Sequence, residues 1–233
     1  MQPDDTYVII PASNVGSRST ELDNITAWSR ANNLTLNRSK SVEIVFTDKW
    51  RRQKISPPLV LPDIERVKSL KILGVTFTDR LLMCEHVQAT VSACASLLYA
   101  LRVLRAHGMP ETALQTVYQA TVMAMVLYAT NAWWGFTSAC DRQRIEAFVG
   151  RTKRCGLCHA DQPPVTQLVE DADDKLFQLC YIILNTHYQL LPDRRHDITY
   201  SLRPRRHDLT LSRGSHCIYD CNFIVRQLFK DSY

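Results

Sequence analysis

Apolar residues recur every three or four positions through most of the second half of the chain, which predicts a series of helices. The longest pattern covers 81–106, and its apolar face consists of Val87, Val91, Cys94, Leu98 and Leu101. Further helices are expected from Pro110 to Met125, from Asp141 to Arg154, from Ala172 to Leu191 and from Ile218 to Phe229. Gly108 and the pair Pro163-Pro164 separate these segments, because both residue types end helices.

The first third of the chain combines short strand patterns with one helix. Residues 6–10 form an apolar β-type run, and residues 42–46 alternate as a half-buried strand does. Between them, a helix is expected to begin near Ser17 and to close at Asn32. A further strand pattern with a central turn covers 70–77. We therefore expect an α+β fold whose second half is mainly helical.

Composition places the chain among folded proteins. Of its 233 residues 45% are hydrophobic, which is enough to bury a core, and the formal net charge of +5 describes a moderately basic surface. Such a surface suits nucleic acid, although many basic proteins never bind it. We find no signal peptide, and the most apolar stretch, 120–134, is better explained as a buried helix than as a transmembrane segment. We expect an intracellular protein, nuclear or cytoplasmic, that is not secreted and has no membrane contact.

Eight cysteines are scattered along the chain, which favours reduced thiols over a disulfide framework. The segment Cys155-Gly156-Leu157-Cys158-His159 matches the attachment pattern of c-type haem. With Cys217 and Cys221 it could also supply a tetrahedral zinc site, but the long separation leaves that pairing unconstrained. We expect neither haem nor zinc, and most of the cysteines are interpreted as small core residues.

Two adjacent carboxylates, Asp4 and Asp5, directly precede the first apolar run. A carboxylate pair near a turn suits Mg²⁺, which prefers oxygen ligands and is usually held by one or two carboxylates together with nucleotide phosphates. Taken alone, such a pair is more often a solvated turn. The motifs that follow it favour the metal-binding interpretation.

Those motifs are Asn37 with Lys40, and then Leu73-Gly74-Val75. In this order, the chain resembles the reverse transcriptase of a non-LTR (LINE-like) retrotransposon, from the palm to its C-terminal end. In that family an aromatic-Ala-Asp-Asp motif carries two of three metal-binding aspartates, an Asn-x-x-Lys motif follows a helix, and a Leu-Gly-Val hairpin grips the primer. Later segments also look like the C-terminal part of such elements: Leu101-Arg102-Val103-Leu104-Arg105, Tyr128-Ala129, Ala132-Trp133-Trp134-Gly135 and Leu202-Arg203-Pro204-Arg205.

The resemblance implies a partial palm sheet over 1–80, a helical thumb over 81–160 and a C-terminal helical and basic region over 161–233. It also implies RNA-templated DNA synthesis, with RNA template, DNA primer and dNTP as partners of the parent enzyme. Asp4 and Asp5 would bind Mg²⁺ while a primer 3′-hydroxyl attacks the α-phosphate of the dNTP. Lys40 would donate a proton to the departing pyrophosphate, and Leu73, Gly74 and Val75 would form the primer grip.

Two departures from the family pattern bear on activity. Gln2 and Pro3 stand where the family has an aromatic residue and Ala, and Pro removes a backbone N–H from the expected metal-binding hairpin. The chain also begins at Met1, after the point at which the family has its fingers and its third metal-binding aspartate. We therefore expect a C-terminal fragment with an incomplete Mg²⁺ site, which does not extend a primer by itself.

Basic residues of the second half are the candidates for nucleic-acid contact. They are Arg102, Arg105, Arg151, Lys153, Arg154, Arg203, Arg205 and Arg206. The last three lie in 194–213, where six arginines accompany two aspartates, so this stretch is interpreted as an extended basic loop. The arginines of this stretch either contact phosphate or are simply solvated, and the sequence does not decide between the two. The alternatives to a polymerase fragment are a non-catalytic nucleic-acid-binding remnant and a vestigial product without function.

Overall fold

The computed structural model describes residues 6–47, 57–184, 191–194, 207–211 and 217–230. Within these ranges helices predominate and the strands are few and short, which is compatible with the α+β class expected from the sequence. The described residues fall into two compact units. The first unit contains the residues up to 45 together with 57–69, and the second contains the rest.

One helix and a two-stranded parallel sheet make up the first unit. Helix α1 spans Arg18–Ala31, strand β1 spans Val42–Ile44, and strand β2 spans Glu65–Val67. The helix was predicted, and Asn32 caps its end as expected. Residues 6–10, in contrast, form no strand, and Ile9 is 91% exposed, so the prediction of a strand there is wrong. None of the described strands pairs with this segment. Its β propensity is therefore not sufficient to make it a strand.

Glu43 on β1 forms ion pairs with an arginine of α1 and with an arginine of β2. Arg18 Nη1 donates to one carboxylate oxygen at 2.5 Å, and Arg66 Nη2 donates to the other at 2.7 Å. The same two guanidinium groups also donate to the carbonyl oxygens of Leu59 and Pro58. Because the Glu43 side chain is only 14% exposed, these charge-assisted bonds offset the cost of its desolvation.

Apolar burial is sparse in the first unit. The sequence places Leu22, Ile25, Trp28 and Ser29 on one stripe of α1, which predicts that this stripe faces inward. The Trp28 side chain is 60% exposed, so that part of the prediction is wrong. Ser29 is the buried residue of the helix, and its hydroxyl donates to the Thr26 carbonyl oxygen. The unit therefore depends more on the Glu43 ion pairs than on an apolar core.

The second unit contains a β-hairpin followed by helices. Strands β3, Ser69–Ile72, and β4, Val75–Thr78, form the hairpin that the sequence predicted. The helices are α2 (Cys84–Ala106), α3 (Glu111–Tyr118), α4 (Ala124–Leu127), α5 (Thr130–Trp133), α6 (Ala139–Arg154), α7 (Val165–Leu179), α8 (Cys217–Asp220) and α9 (Phe223–Phe229). Turns of π-helix at Gln119–Met123 and Cys180–Leu184 continue α3 and α7.

Local signals explain most helix ends. Helix α2 ends where Gly108 adopts φ +86°, as predicted. Helix α6 begins with a capping box, in which the Ser138 hydroxyl accepts the Asp141 N–H and the Asp141 carboxylate accepts the Ser138 N–H. The predicted start of the next helix at Ala172 is wrong, because α7 begins at Val165 directly after Pro164. Proline at a helix start sacrifices no intrahelical hydrogen bond.

Helix α2 lies at the centre of the main apolar core. Its buried side chains Val87, Cys94, Leu98 and Leu101 belong to one cluster with residues of α3, α6 and α7. Within this cluster the Tyr118 hydroxyl lies 2.8 Å from the Thr152 hydroxyl oxygen, and burial raises the pKa of Tyr118 to about 12. The packing of α2 against α3 is thus part of a larger bundle.

A smaller cluster packs α9 against α7 through Phe177, Leu209 and Leu228. His207 is buried beside them, where its Nε2 donates to the Leu228 carbonyl oxygen at 3.0 Å and its Nδ1 accepts the Leu209 N–H. His207 and Leu209 lie in the stretch 194–213, which was predicted to be an extended basic loop. That prediction is wrong for 207–211, which contributes to a core.

One described helix, α2, has the length and apolar composition of a transmembrane segment, and 28% of its candidate span is buried. This is not the stretch 120–134 that the sequence singled out. Core helices of soluble proteins meet the same two criteria. Because α2 contributes five buried residues to the second unit, we interpret it as a core helix.

Replacing Gly135 with Ala should destabilise the second unit. A Cβ at this position would overlap the Cys221 carbonyl oxygen and lie 2.8 Å from Arg226 Nε, so the segment carrying α8 and α9 would have to move. We expect a loss of about 1–3 kcal/mol in the free energy of unfolding, measured by urea denaturation.

The matched control is Gly150→Ala within α6, where no heavy atom lies within 4 Å of an added Cβ. This change should leave stability unaltered or raise it by about 0.5–1 kcal/mol, because Ala favours helix. Equal effects of the two substitutions would contradict the packing described for Gly135.

Candidate nucleic-acid interface

The residues predicted to perform catalysis are only partly among those described. Asp4 and Asp5, the expected Mg²⁺ ligands, lie outside the described residues, and so do Arg203, Arg205 and Arg206. Lys40 is in the first unit, whereas the predicted primer grip and the other basic residues are in the second. Within the described ranges no group of three or more potential metal ligands occurs.

The Asn-x-x-Lys motif forms one turn of 3-10 helix, Arg38–Lys40, directly before β1. Asn37 caps this turn, because its side-chain oxygen accepts the Lys40 backbone N–H at 3.2 Å and the Ser39 hydroxyl at 2.7 Å. The Lys40 side chain is exposed and has no hydrogen-bond partner among the described residues. The motif therefore presents an ammonium group to solvent on a turn that the asparagine orders.

Leu73 and Gly74 form the tip of the β3–β4 hairpin, and both have positive φ angles, 45° and 87°. Positive φ at both central positions is the pattern of type I′ hairpin turns, and it costs a non-glycine residue roughly 1–2 kcal/mol. The Leu73 side chain is nevertheless 74% exposed and buries little area in compensation. A strained residue that projects an apolar side chain into solvent is a candidate contact for a ligand.

Tyr128 fixes the tip of this hairpin. Its hydroxyl donates to the Leu73 carbonyl oxygen at 3.0 Å, and its ring would lie 3.2 Å from a Cβ at Gly74. The tyrosine is itself held because the Trp133 indole N–H donates to the Tyr128 carbonyl oxygen at 2.9 Å. Three segments that the sequence singled out separately, 73–75, 128–129 and 132–135, thus meet in one place.

His86 connects the base of the hairpin to the same cluster. Its Nδ1 accepts the Thr76 N–H at 3.5 Å, and its ring packs edge-on to Trp133 with the centroids 4.9 Å apart. Burial, and secondly the positive charge of Lys71, lower the pKa of His86. No role was predicted for His86, because only the fold brings β4, α2 and α5 together around it.

Basic residues near the C-terminal ends of α2 and α6 lie side by side. Arg105 Nη1 donates to the Cys155 carbonyl oxygen at 2.7 Å, which joins the two helix ends. Lys153 donates to the Gln162 carbonyl oxygen, and Arg154 Nε donates to the Gly150 carbonyl oxygen at 3.4 Å. These three cations therefore satisfy carbonyl groups near helix ends, where the helix dipole favours positive charge.

Arg102 and Arg151 are differently placed. Both are exposed, and neither has a hydrogen-bond or ion-pair partner among the described residues. Together they border a groove between the two helices, which we call the α2–α6 groove. Its volume is about 210 Å³, and its lining residues are Val91, Ala95, Leu98, Arg102, Phe148, Arg151, Thr152, Cys155 and Leu157. No carboxylate is among them, so the two guanidinium groups are available to an anion.

The cysteines of the haem-like segment lie at this end of the second unit. Cys155 is exposed and lines the α2–α6 groove, whereas Cys158 is buried, and burial raises the pKa of its thiol. His159 is exposed. Opposite exposure of the two thiols does not suit attachment of one prosthetic group by both sulfurs.

Comparison with protein-family models, with curated proteins and with solved structures finds no match to this chain. The assignment to a retrotransposon reverse transcriptase therefore stays a prediction from the sequence motifs. The geometry adds that five of the eight basic residues singled out lie near the ends of two packed helices, and that two of them border one groove.

The lowered pKa of His86 predicts that stability falls in mild acid. Below the unfolded-state pKa of about 6.5 the unfolded chain binds a proton that folded His86 does not, so the free energy of unfolding decreases as pH falls. The slope should reach at most about 1.4 kcal/mol per pH unit. Urea denaturation between neutral pH and mild acid measures it.

The variant His86→Gln should not show this decrease in the free energy of unfolding as pH falls. The variant His159→Gln, at an exposed position, should still show it. If the wild type and His86→Gln lose stability in parallel as the pH is lowered, the buried environment assigned to His86 is wrong.

Proposed function

We propose that this chain derives from the RNA-directed DNA polymerase of a non-LTR retrotransposon and that its second unit binds a nucleic-acid strand. The polymerase origin is supported by the order of the motifs along the chain. The binding role is supported chiefly by one observation: the guanidinium groups of Arg102 and Arg151 lie beside a single groove and have no partner among the described residues.

The charge of this surface fits phosphate. Arginine binds phosphate oxygens through paired N–H groups, and each phosphate neutralised on a duplex releases condensed counterions. Arg105, Lys153 and Arg154 add positive charge nearby, although their hydrogen bonds to carbonyl groups explain part of their presence. Arg102 and Arg151 have no such structural task among the described residues, so they carry the proposal.

The hairpin supplies a second contact in the proposed function. Leu73 is exposed and held in a strained conformation by Tyr128, which suits a residue that touches a primer strand. In the parent enzyme Asp4 and Asp5 would hold Mg²⁺ at the α-phosphate of a dNTP, and Lys40 would protonate the departing pyrophosphate. The ammonium group of Lys40, which is exposed and has no partner within the described part of the chain, is compatible with this task.

A non-catalytic binding module is the second candidate. It is favoured because the features described in atomic detail, the α2–α6 groove and the Leu73 tip, are surfaces for contact and include no reacting group. Primer extension on an RNA template with Mg²⁺ and dNTPs tests whether the chain retains catalysis, which we do not expect of a fragment. Extension that Asp4→Asn and Asp5→Asn abolish would establish an active polymerase, whereas binding without extension, unchanged by these substitutions, fits the inactive polymerase fragment and the binding module alike.

Replacing Arg102 or Arg151 with Gln should weaken binding to a short fluorescein-labelled RNA–DNA hybrid. We expect about a fivefold loss of affinity at low salt for each change, because each removes one phosphate contact. The slope of log affinity against log salt concentration should also fall by about one. Fluorescence anisotropy over a salt series measures both quantities.

Lys175→Gln is the matched control, since Lys175 on α7 is exposed, unpaired among the described residues and carries the same charge. It should alter the salt slope by less than either arginine change. If all three variants behave alike, binding reflects net charge and the groove is not the interface. If the wild type does not bind at all, the proposed binding role is wrong, as a vestigial product would predict.

A further inference from the structure

The α2–α6 groove has an apolar interior that phosphate binding does not use. Its volume is about 210 Å³, roughly seven waters at ~30 Å³ each. Val91, Ala95 and Leu98 line it from α2, and Phe148 lines it from α6. A concave apolar space with a few polar groups beside it is the usual form of a small-molecule site.

The polar groups of the groove are few. Apart from Arg102 and Arg151, they are the exposed Cys155 thiol and the Thr152 hydroxyl. Thr152 is already engaged, because its hydroxyl donates to the Val149 carbonyl oxygen at 2.7 Å and contacts Tyr118. The interior therefore offers apolar contact and the two arginines offer binding of one anionic group.

We propose that the α2–α6 groove binds a small anionic amphiphile, with a carboxylate or similar group at Arg102 and Arg151 and an apolar chain in the interior. Burial of the chain is favourable because it removes apolar area from water. The charges are complementary, because the described lining residues include two cations without a described partner and no anion. The volume of about 210 Å³ accommodates a short apolar chain.

An inserted nucleobase fits this interior less well. Its polar edge would meet apolar walls whose one hydroxyl is already engaged with the Val149 carbonyl oxygen. Buried polar edges without partners cost free energy. The proposal does not rest on nucleic-acid binding, but because it uses the same two arginines, an amphiphile and a nucleic-acid strand should compete for them.

Cys155 provides a reporter within the site. Octanoate should slow alkylation of Cys155 by iodoacetamide, measured for each cysteine by peptide mass spectrometry. Cys84 and Cys140 are also exposed but do not line the groove, so their alkylation rates should not change and they serve as internal controls. In the series butyrate, hexanoate and octanoate, affinity should rise about fourfold per added methylene, in line with apolar transfer.

Two pairs of comparisons test the assignment further. Ala95→Leu should fill the interior and abolish protection of Cys155, whereas Ala93→Leu, at an exposed position of α2 outside the groove, should not. Arg102→Gln combined with Arg151→Gln should weaken octanoate about tenfold and leave neutral octanol unaffected. This second comparison separates recognition of the anion from apolar burial.

The proposal is overturned if octanoate fails to protect Cys155 in the wild type, or if it protects all three thiols alike, as a non-specific surfactant would. It is also overturned if inorganic phosphate protects as well as octanoate and chain length has no effect, because the groove would then be a simple anion site. The chain-length series needs no variant, so a poorly folded Ala95→Leu protein would not leave the proposal untested. Nucleic-acid binding by the wild type can succeed or fail independently of all these outcomes.

Discussion

The packing of α2 against α6 is the interaction on which the second unit depends. The seam buries Leu98 and Leu101 of α2 together with Phe148 of α6, and each fully buried side chain of this size contributes roughly 1.5–3 kcal/mol. Arg105 then joins the two C-terminal ends by donating to the Cys155 carbonyl oxygen. Because the helices end side by side, the basic residues of both accumulate at one end and the groove between them remains open. The candidate interface is thus a consequence of the packing geometry.

Helical periodicity was sufficient to predict the buried face of α2, but it did not predict that α6 packs against α2. The buried residues Val87, Cys94 and Leu98 are those whose spacing marked one face of α2, and α6 was predicted to within two residues at its start. The prediction failed where a segment needs a partner to define it. Residues 6–10 have strand propensity but no strand pairs with them, and 207–211 looked like a solvated basic loop although Leu209 is fully buried. Neither outcome can be read from local composition, since both depend on distant contacts.

In the candidate site, too, local motifs were predicted but contacts between distant residues were not. The hairpin at Leu73-Gly74-Val75 was implied by the family resemblance. The hydrogen bond from the Tyr128 hydroxyl to the Leu73 carbonyl oxygen was not, because it joins positions far apart in sequence. The sequence alone did not distinguish among the eight basic residues. The structure distinguishes Arg105, which binds a carbonyl oxygen, from Arg102, three residues earlier, which is unpaired among the described residues. That distinction decides which substitution is informative, and it follows only from knowing where the two helix ends meet.

We therefore propose that nucleic acid contacts the last turns of α2 and α6. The most direct test is photocross-linking of the intact chain to a strand that carries 4-thiouridine, with the cross-linked peptides identified by mass spectrometry. We predict that the adducts concentrate in peptides containing Arg102 and Arg151, with further adducts near the Leu73 tip. Adducts confined to other surfaces, such as the outer face of α7, would contradict the account.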